Sequence, residues 1–230
     1  MEAIILAGGK AERLGEAAGG LPKPLVPVAG QPLAAWQIGL LRRAGFNRVI
    51  VSCSAGAGAD FAAALGGLGI EIATAEETER LGRGGGIRFA AHERKENGDV
   101  LALNGDELVD VDFASLLDAH RANGAAATIT VARPKSPFGV VELEDDRVTG
   151  FAEGGTIASW VSCGVYVLGE EALARFPERG DHETTAFPEL AAEGKLGAFR
   201  HEGLWLTVNT PKDLRRAEEY VSSHPEWLQA

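Results

Sequence analysis

Ile4-Ile5-Leu6-Ala7-Gly8-Gly9-Lys10-Ala11-Glu12-Arg13-Leu14, followed by Leu21-Pro22-Lys23-Pro24-Leu25, decides how the rest of the chain is read. A short apolar run stops at two glycines, as a buried strand does when its backbone must turn sharply. Successive N–H groups in such a loop can converge on an anion. Arg13 and Lys23 add two cations to the same neighbourhood. Two readings stand on these residues alone: a polyphosphate cradle at the C-terminal end of the first strand, or an ordinary strand–loop–helix with surface charges. Neither the phosphate-binding Gly-x-x-x-x-Gly-Lys-Ser/Thr pattern nor the dinucleotide Gly-x-Gly-x-x-Gly pattern occurs here.

Working outward, strand-like and helix-like segments alternate. Arg48–Ser54 is a continuous β-branched run suited to a parallel buried strand. Leu33, Trp36, Leu40, Leu41 and Ala44 recur at helical spacing and predict a helix over Gln31–Ala44, with Pro32 in its first turn. Asp60–Leu65 and Gly84–Lys95 read as helices; Ile70–Thr74 and Asp99–Leu103 read as strands. Asp112 is placed to cap a helix running to Asn123. Beyond residue 125 come closely spaced strands at Ala127–Ala132, Gly139–Leu143, Arg147–Ala152 and Trp160–Leu168, with a turn at Asp145-Asp146. Short helices near Glu170–Arg175 and Phe187–Ala192, a strand at Leu204–Val208 and a helix at Pro211–Ser222 complete the pattern. The expected fold is α/β: a Rossmann-like, mostly parallel sheet with helices on both faces and an inserted β-rich lobe. The expected organisation is one domain, 1–230, with a first part to residue 125 and a second part from 126.

Bulk properties exclude some classes. The 230 residues carry a net charge of −11, which argues against a nucleic-acid or anionic-membrane partner. No apolar run approaches the ~18 residues of a membrane span, no leader pattern opens the chain, and a cytoplasmic protein is expected. Cys53 and Cys163 lie in apolar surroundings and read as buried thiols. His182, His201 and His224 fit no catalytic pattern.

A second landmark is Leu101-Ala102-Leu103-Asn104-Gly105-Asp106, again a strand ending in a glycine, here followed by a carboxylate. Ligands of open parallel sheets bind outside the strand carboxyl ends, so Asp106 and Gly8-Gly9 would open into one crevice. A strand-end carboxylate beside phosphates suits Mg²⁺, and it equally suits a turn in which Asp bonds its own backbone.

These stretches together resemble the sugar-1-phosphate nucleotidyltransferases, the nucleotide-sugar pyrophosphorylases, whose signature runs Leu-Ala-Gly-Gly, an Arg four residues on, then Pro-Lys-Pro. Ala11 stands where the family has a third glycine. The resemblance implies nucleotide contacts at Leu6, Ala7, Gly8, Gly9, Lys10 and Arg13, with Arg13 and Lys23 as catalytic cations. It implies Asp106 as a Mg²⁺ ligand. Glu79-Arg80-Leu81-Gly82-Arg83-Gly84-Gly85-Gly86 resembles the family's nucleotide-binding segment and adds Glu79, Arg83, Gly84 and Gly85. Trp205-Leu206-Thr207-Val208-Asn209-Thr210-Pro211-Lys212-Asp213 departs from the family, which has Asp at position 207 and Gly at 209. Val-Asn-Thr-Pro-x-Asp resembles molybdenum-cofactor guanylyltransferases, and an Asn after Val is a metal ligand in N-acetylglucosamine-1-phosphate uridylyltransferases, so Asn209 is the expected partner of Asp106. Phe138-Gly139-Val140-Val141, Phe151-Ala152-Glu153 and Val161-Ser162-Cys163-Gly164 resemble sugar-binding segments; they imply sugar contacts at Gly139, Glu153 and Ser162, joined by Asn104. Gly154 replaces the family's phosphate-binding Lys.

The implied reaction joins a nucleoside triphosphate and a sugar 1-phosphate, with Mg²⁺, in a monomer or homodimer. Likeness to mannose-1-phosphate guanylyltransferases favours GTP; uridylyl and thymidylyl transfer remain open. A nucleotide-sugar-dependent glycosyltransferase and a non-catalytic nucleotide-sugar sensor are the alternatives of other classes.

Overall fold

The structure is a computed structural model that describes residues 1–9, 11–136 and 138–229. In chain order, β1 (Glu2–Leu6) leads through the glycine loop and two 3-10 turns to the short β2 (Pro27–Val28) and β3 (Gln31–Pro32). There follow α1 (Leu33–Arg43), β4 (Arg48–Ser54), α2 (Gly58–Leu65), β5 (Glu71–Glu77), α3 (Gly82–Ala91), β6 (Val100–Asn104) and β7 (Glu107–Val109). The second part holds α4 (Phe113–Asn123), β8 (Ala127–Ala132), β9 (Val140–Glu144), β10 (Arg147–Ala152), β11 (Val161–Leu168), α5 (Glu170–Arg175), α6 (Ala186–Ala192), β12 (Leu196–Arg200), β13 (Trp205–Thr207) and α7 (Pro211–Ser222).

Seven strands form one sheet in the order β12-β8-β11-β6-β1-β4-β5. All are parallel except β11, which runs antiparallel between β6 and β8. The chain leaves β1 toward β4 and β5 and then returns to place β6 on the other side of β1. That reversal is the topological switch point at which open α/β sheets bind ligands. The sequence-level expectation of an α/β, mostly parallel sheet holds. One part of it changes: Ala127–Ala132 and Val161–Leu168 join the central sheet, so that of the expected β-rich lobe the β9–β10 hairpin alone stands apart among the described residues. Its Asp145 adopts φ +53, the left-handed conformation that a tight hairpin turn needs.

Alternation along the central strands feeds two cores. Ala3, Ile5, Val49 and Val51 face α1, α2 and α4 through Ile38, Leu41, Phe61 and Leu116. Ile4, Ile50 and Ala102 face α3, α5 and α6 through Ile87, Ala172 and Leu190. Strands buried on both faces need the near-continuous apolar runs seen at Ile4-Ile5 and Val49-Ile50-Val51. Full burial of each Leu or Ile contributes about 1.5–3 kcal/mol. A third cluster joins α1 and α7 to a closing turn through Leu33, Trp36, Ala217, Val221 and Trp227.

Several element ends differ from expectation. The helix expected from Gln31 starts at Leu33, because Gln31-Pro32 pairs with Pro27-Val28 and Pro32 stays extended at ψ 140. β5 continues three residues past Thr74, since Ala75, Glu76 and Glu77 pair with Ser52, Cys53 and Ser54. The edge strand β12 carries no β-branched residue and no strand signal; its pairing with Ala127–Val131 makes it. The expected cap is present: Asp112 accepts the Ser115 N–H at 3.1 Å.

Glycine at 39 and 105 is set by contact. A Cβ on Gly39 would stand 2.0 Å from the Trp227 carbonyl oxygen, so only glycine lets the 225–227 turn lie on α1. A Cβ on Gly105 would stand 2.3 Å from the Leu6 carbonyl oxygen, the same atom that accepts the Gly105 N–H at 3.0 Å. The loops after β1 and β6 are thereby held together.

Candidate active site at the switch point

The site starts from that contact between Gly105 and Leu6. α1 supports it from below: Gln37 donates to the carbonyl oxygens of Asn104 (2.8 Å) and Glu107 (2.7 Å), bracketing the turn that carries Asp106. β13 pairs antiparallel with β7, and the Val208 N–H donates to the Asp106 carbonyl at 2.8 Å. Asn209 thus arrives beside Asp106 from a segment more than a hundred residues later. The Thr210–Asp213 capping box then starts α7 immediately after it.

Three of the expected residues meet at one atom. The buried Lys23 ammonium donates to Asp106 Oδ2 at 2.8 Å and to Asn209 Oδ1 at 2.6 Å. Arg13 adds a bond to the same Asn209 oxygen at 3.1 Å. Both rigid prolines flanking Lys23 hold it there, in a short 3-10 turn whose Pro22 is extended. Ala11, the departure from glycine, adopts φ −85 and ψ 33, which any L-residue accommodates. Lys10 lies outside the described residues.

Around this cluster, a cavity of about 280 Å³ is lined by Leu6, Asn104, Asp106, Glu107, Thr207 and Asn209. It shares Leu6, Gly9 and Arg83 with a larger cavity of about 650 Å³, which Gly8, Glu77, Glu79 and Leu81 also border. That volume suits a nucleotide-sized ligand. Glu77 organises its wall, accepting from Ser52 Oγ at 2.8 Å and from the Leu81 N–H at 3.0 Å. Glu79 pairs with Arg179 at 3.0 Å at the exposed rim. Arg83, a phosphate or solvent arginine on sequence grounds, is engaged by Asp181 and Glu183 at 2.5 and 2.6 Å.

Gly84 and Gly85 require a correction. They are buried inside α3 and are absent from the walls of both cavities. Cβ atoms there would stand 2.7 Å from the His182 nitrogen and 2.5 Å from the Glu178 carbonyl. Their lack of a side chain lets α3 pack against the 177–182 segment instead of presenting backbone to a base.

The expected sugar contacts are dispersed. Asn104 lines the smaller cavity, and its buried Oδ1 has no partner among the described residues. Ser162 lies at an irregularity in β11, where Gly164 at φ +69 makes room for the Asn104 side chain. Its hydroxyl contacts Tyr166 at 3.3 Å. Gly139 and Glu153 belong to the hairpin region, Glu153 being exposed and Gly139 packed beneath the Phe151 ring. Neither borders the two cavities.

Sequence reasoning passed over Glu107. Its carboxylate accepts from Trp205 Nε1 at 2.7 Å and Asn104 Nδ2 at 3.3 Å. Burial pushes it up to about 7, with the neighbouring Asp106 charge acting in the same sense against those two hydrogen bonds. Only its place directly after Asp106 in the strand-end motif signalled it. The thiols behave as expected: Cys53 and Cys163 are buried and free, pushed up to about 11 and about 12 by burial. His182 is also buried, stacked on Phe176 at 4.9 Å and lowered to about 4.

Among the described residues no group of three His, Cys, Asp or Glu could hold a metal, and no helix is long and apolar enough to cross a membrane.

This geometry has relatives. HddC from Yersinia pseudotuberculosis superposes with a TM-score of 0.76 at 22% identity, covering 96% of this chain and 99% of that one. The inositol-1-phosphate CTP transferase from T. maritima gives 0.75 at 20% identity, covering 96% and 94%. Both establish the fold. By sequence, the mannose-1-phosphate guanylyltransferase catalytic subunit beta of Xenopus tropicalis is 32% identical over 99% of this chain and 68% of its own length. A mannose-1-phosphate guanylyltransferase of Mycobacterium tuberculosis is 34% identical over 94% of this chain and 63% of its own. A family model described as Nucleotidyl transferase matches residues 2–224. The chain belongs to the nucleotidyl transferase family.

Proposed function

We propose that this enzyme transfers a nucleotidyl group from a nucleoside triphosphate to a sugar 1-phosphate at the β1–β6 switch point, releasing pyrophosphate. The observation that carries the reading is the Lys23 ammonium held between Asp106 and Asn209 where the two cavities meet. GTP and mannose 1-phosphate lead the substrate panel because the relatives above bear that name. HddC has also been crystallised with GMP-PN.

In this reading an oxygen of the sugar phosphate attacks the α-phosphorus in line, and the pyrophosphate departs on the opposite side. Such chemistry depends on positioning and on fixed charge more than on a covalent nucleophile. Gly8 and Gly9 let the loop backbone approach the triphosphate. Arg13 holds its outer phosphates with a planar fork, and Lys23 stabilises charge at the phosphate undergoing attack. Glu79 and Leu81 frame the nucleoside, and Asn104 offers its unpartnered oxygen to a sugar hydroxyl.

The donor set fits Mg²⁺. Asp106 and Asn209 present a carboxylate and an amide oxygen, hard ligands that already face a common cation. Two protein ligands suffice for an ion that takes its remaining ligands from phosphates and water. Bound there, Mg²⁺ would neutralise phosphate charge. We read the chain as one domain, supported by a single family model across 2–224. The use of a nucleoside triphosphate suits a cytoplasmic setting.

The test is a matrix of nucleoside triphosphates against sugar 1-phosphates, followed by pyrophosphate release. Turnover with at least one pair is expected; silence across the whole matrix rejects the reading.

A further inference from the structure

A third cavity, of about 760 Å³, opens beside Thr207 and Asn209, the two residues it shares with the smaller reaction cavity. Its wall is cationic and is drawn from the ends of β8 and β12, the segment before β11, and α7. Arg133, Lys135, Arg200 and Arg216 line it. In a chain with 22 Lys and Arg against 33 Asp and Glu, a cation at the surface has carboxylates to pair with, and several use them. Arg83, Arg94, Lys95, Arg175 and Lys195 all do so. The four cations of this cavity form no ion pair among the described residues.

They are also arranged. The Arg133 and Arg200 guanidiniums lie over the Trp160 ring, 4.6 and 5.5 Å from its centroid. One indole thus gathers two like charges, from the segment after β8 and from the end of β12, which costs repulsion that an anion between them would relieve. Two carboxylates border the same cavity. Asp213 is committed to the α7 cap, accepting from the Thr210 N–H at 2.9 Å and its hydroxyl at 2.8 Å; the other is the exposed Glu202.

Lys23 and Arg13, beside Asn209, are already committed to the phosphates at the reaction centre. The additional cations lie beyond Asn209, on the side away from the nucleotide cavity. We infer that the acceptor is a sugar 1-phosphate carrying a second anionic group, and that Arg133 and Arg200, with Lys135 and Arg216, receive that group. This inference rests on the nucleotidyl transfer reading and sharpens its acceptor: plain mannose 1-phosphate becomes the weaker substrate. A carboxylate and a second phosphate are the two sources of such a charge, and guanidinium forks accept both.

The experiment compares three acceptors of one sugar configuration: the hexose 1-phosphate, the hexose 1,6-bisphosphate and the hexuronate 1-phosphate. Each is titrated calorimetrically onto the wild type and the Arg133→Ala/Arg200→Ala double variant, and kinetics are run in parallel. Both substitutions are at exposed positions, and matched melting curves check the fold. The expected result is that at least one doubly anionic acceptor binds about tenfold or more tighter than the hexose 1-phosphate. The double variant should lose that advantage while hexose 1-phosphate binding stays within about twofold. Preference for the bisphosphate or the hexuronate then names the source of the charge. Equal affinity for all three acceptors overturns the inference, and so does a double variant that weakens all three alike, which would assign these cations to the 1-phosphate itself. Because binding is read without turnover, it stands or falls separately from pyrophosphate release. Absence of pyrophosphate from every pair would reject the reaction and leave the binding comparison to decide the anion site.

Discussion

The two sides of the switch point are built on opposite principles. On the nucleotide side three cations are paired with carboxylates: Lys23 with Asp106, Arg83 with Asp181 and Glu183, and Arg179 with Glu79. On the acceptor side, Arg133 and Arg200 share an indole instead of a carboxylate, and the nearby β9–β10 hairpin exposes Leu143, Val148 and Phe151. A paired site is prearranged and loses function when one member is removed. An unpaired site discriminates among ligands and tolerates change in its own members.

Lys23→Ala should break that contrast most sharply. It removes the cation shared by Asp106 and Asn209, and kcat for pyrophosphate release should fall about 10²–10³-fold. A kcat near wild type would remove Lys23 from the catalytic role. Gly105→Ala follows, forcing a Cβ onto the Leu6 carbonyl and the Pro24 ring. Overpacking of this kind should cost about 3 kcal/mol in urea unfolding; an unchanged midpoint would mean the two loops are not fixed to each other.

Glu107 sets a pH dependence. Its folded-state value of about 7 lies above the ordinary 4.5, so the folded chain keeps a proton that the unfolded chain releases. Its contribution is fully present below pH 4.5 and is lost as pH rises through 7. Between pH 5 and 8 the stability of the wild type relative to Glu107→Gln should decline, by on the order of 2–3 kcal/mol. A constant difference across that range would contradict the burial-driven shift.

Asn209→Ala should raise the Mg²⁺ concentration for half-maximal rate about tenfold, as loss of one neutral oxygen ligand would. An unaltered Mg²⁺ titration would leave Asn209 as the residue before a helix cap and nothing more. Smallest is Glu79→Ala at the exposed rim, where the Arg179 pair is worth less than about 1 kcal/mol. The triphosphate KM should move while the melting curve does not; a stability loss larger than this would make the pair structural.

Residues 4–14 and 101–106 were legible because strand ends punctuated by glycine say the same thing locally and globally. Asp112 was legible for a similar reason, since a cap is satisfied within three residues. Gly84 and Gly85 misled because an absent Cβ looks identical whether a ligand or the 177–182 backbone fills the space. The Arg133, Trp160 and Arg200 arrangement could not be read, as its members sit at the ends of three strands whose adjacency depends on sheet order. β12 was hidden too, its strand character being imposed by β8. Thr207 and Asn209 were recognisable only as departures from a family pattern; the β7–β13 ladder explains how an Asn two residues on can face Asp106.

The turn at 225–227 has one more bearing on the molecule, in its making. Trp227 presses its carbonyl against Gly39, Arg42 reaches the Leu228 carbonyl at 2.9 Å and Arg43 the Glu226 carbonyl at 2.7 Å. That same helix carries Gln37, which props the Asp106 turn. During synthesis the glycine loop emerges early and waits for partners some two hundred residues behind it. A nascent chain stalled before β13 would possess all seven strands of the central sheet yet lack both Asn209 and the clamp on α1. Competence therefore waits for residues 209–228, and chains that stop short of them would be unable to commit nucleotide to the reaction.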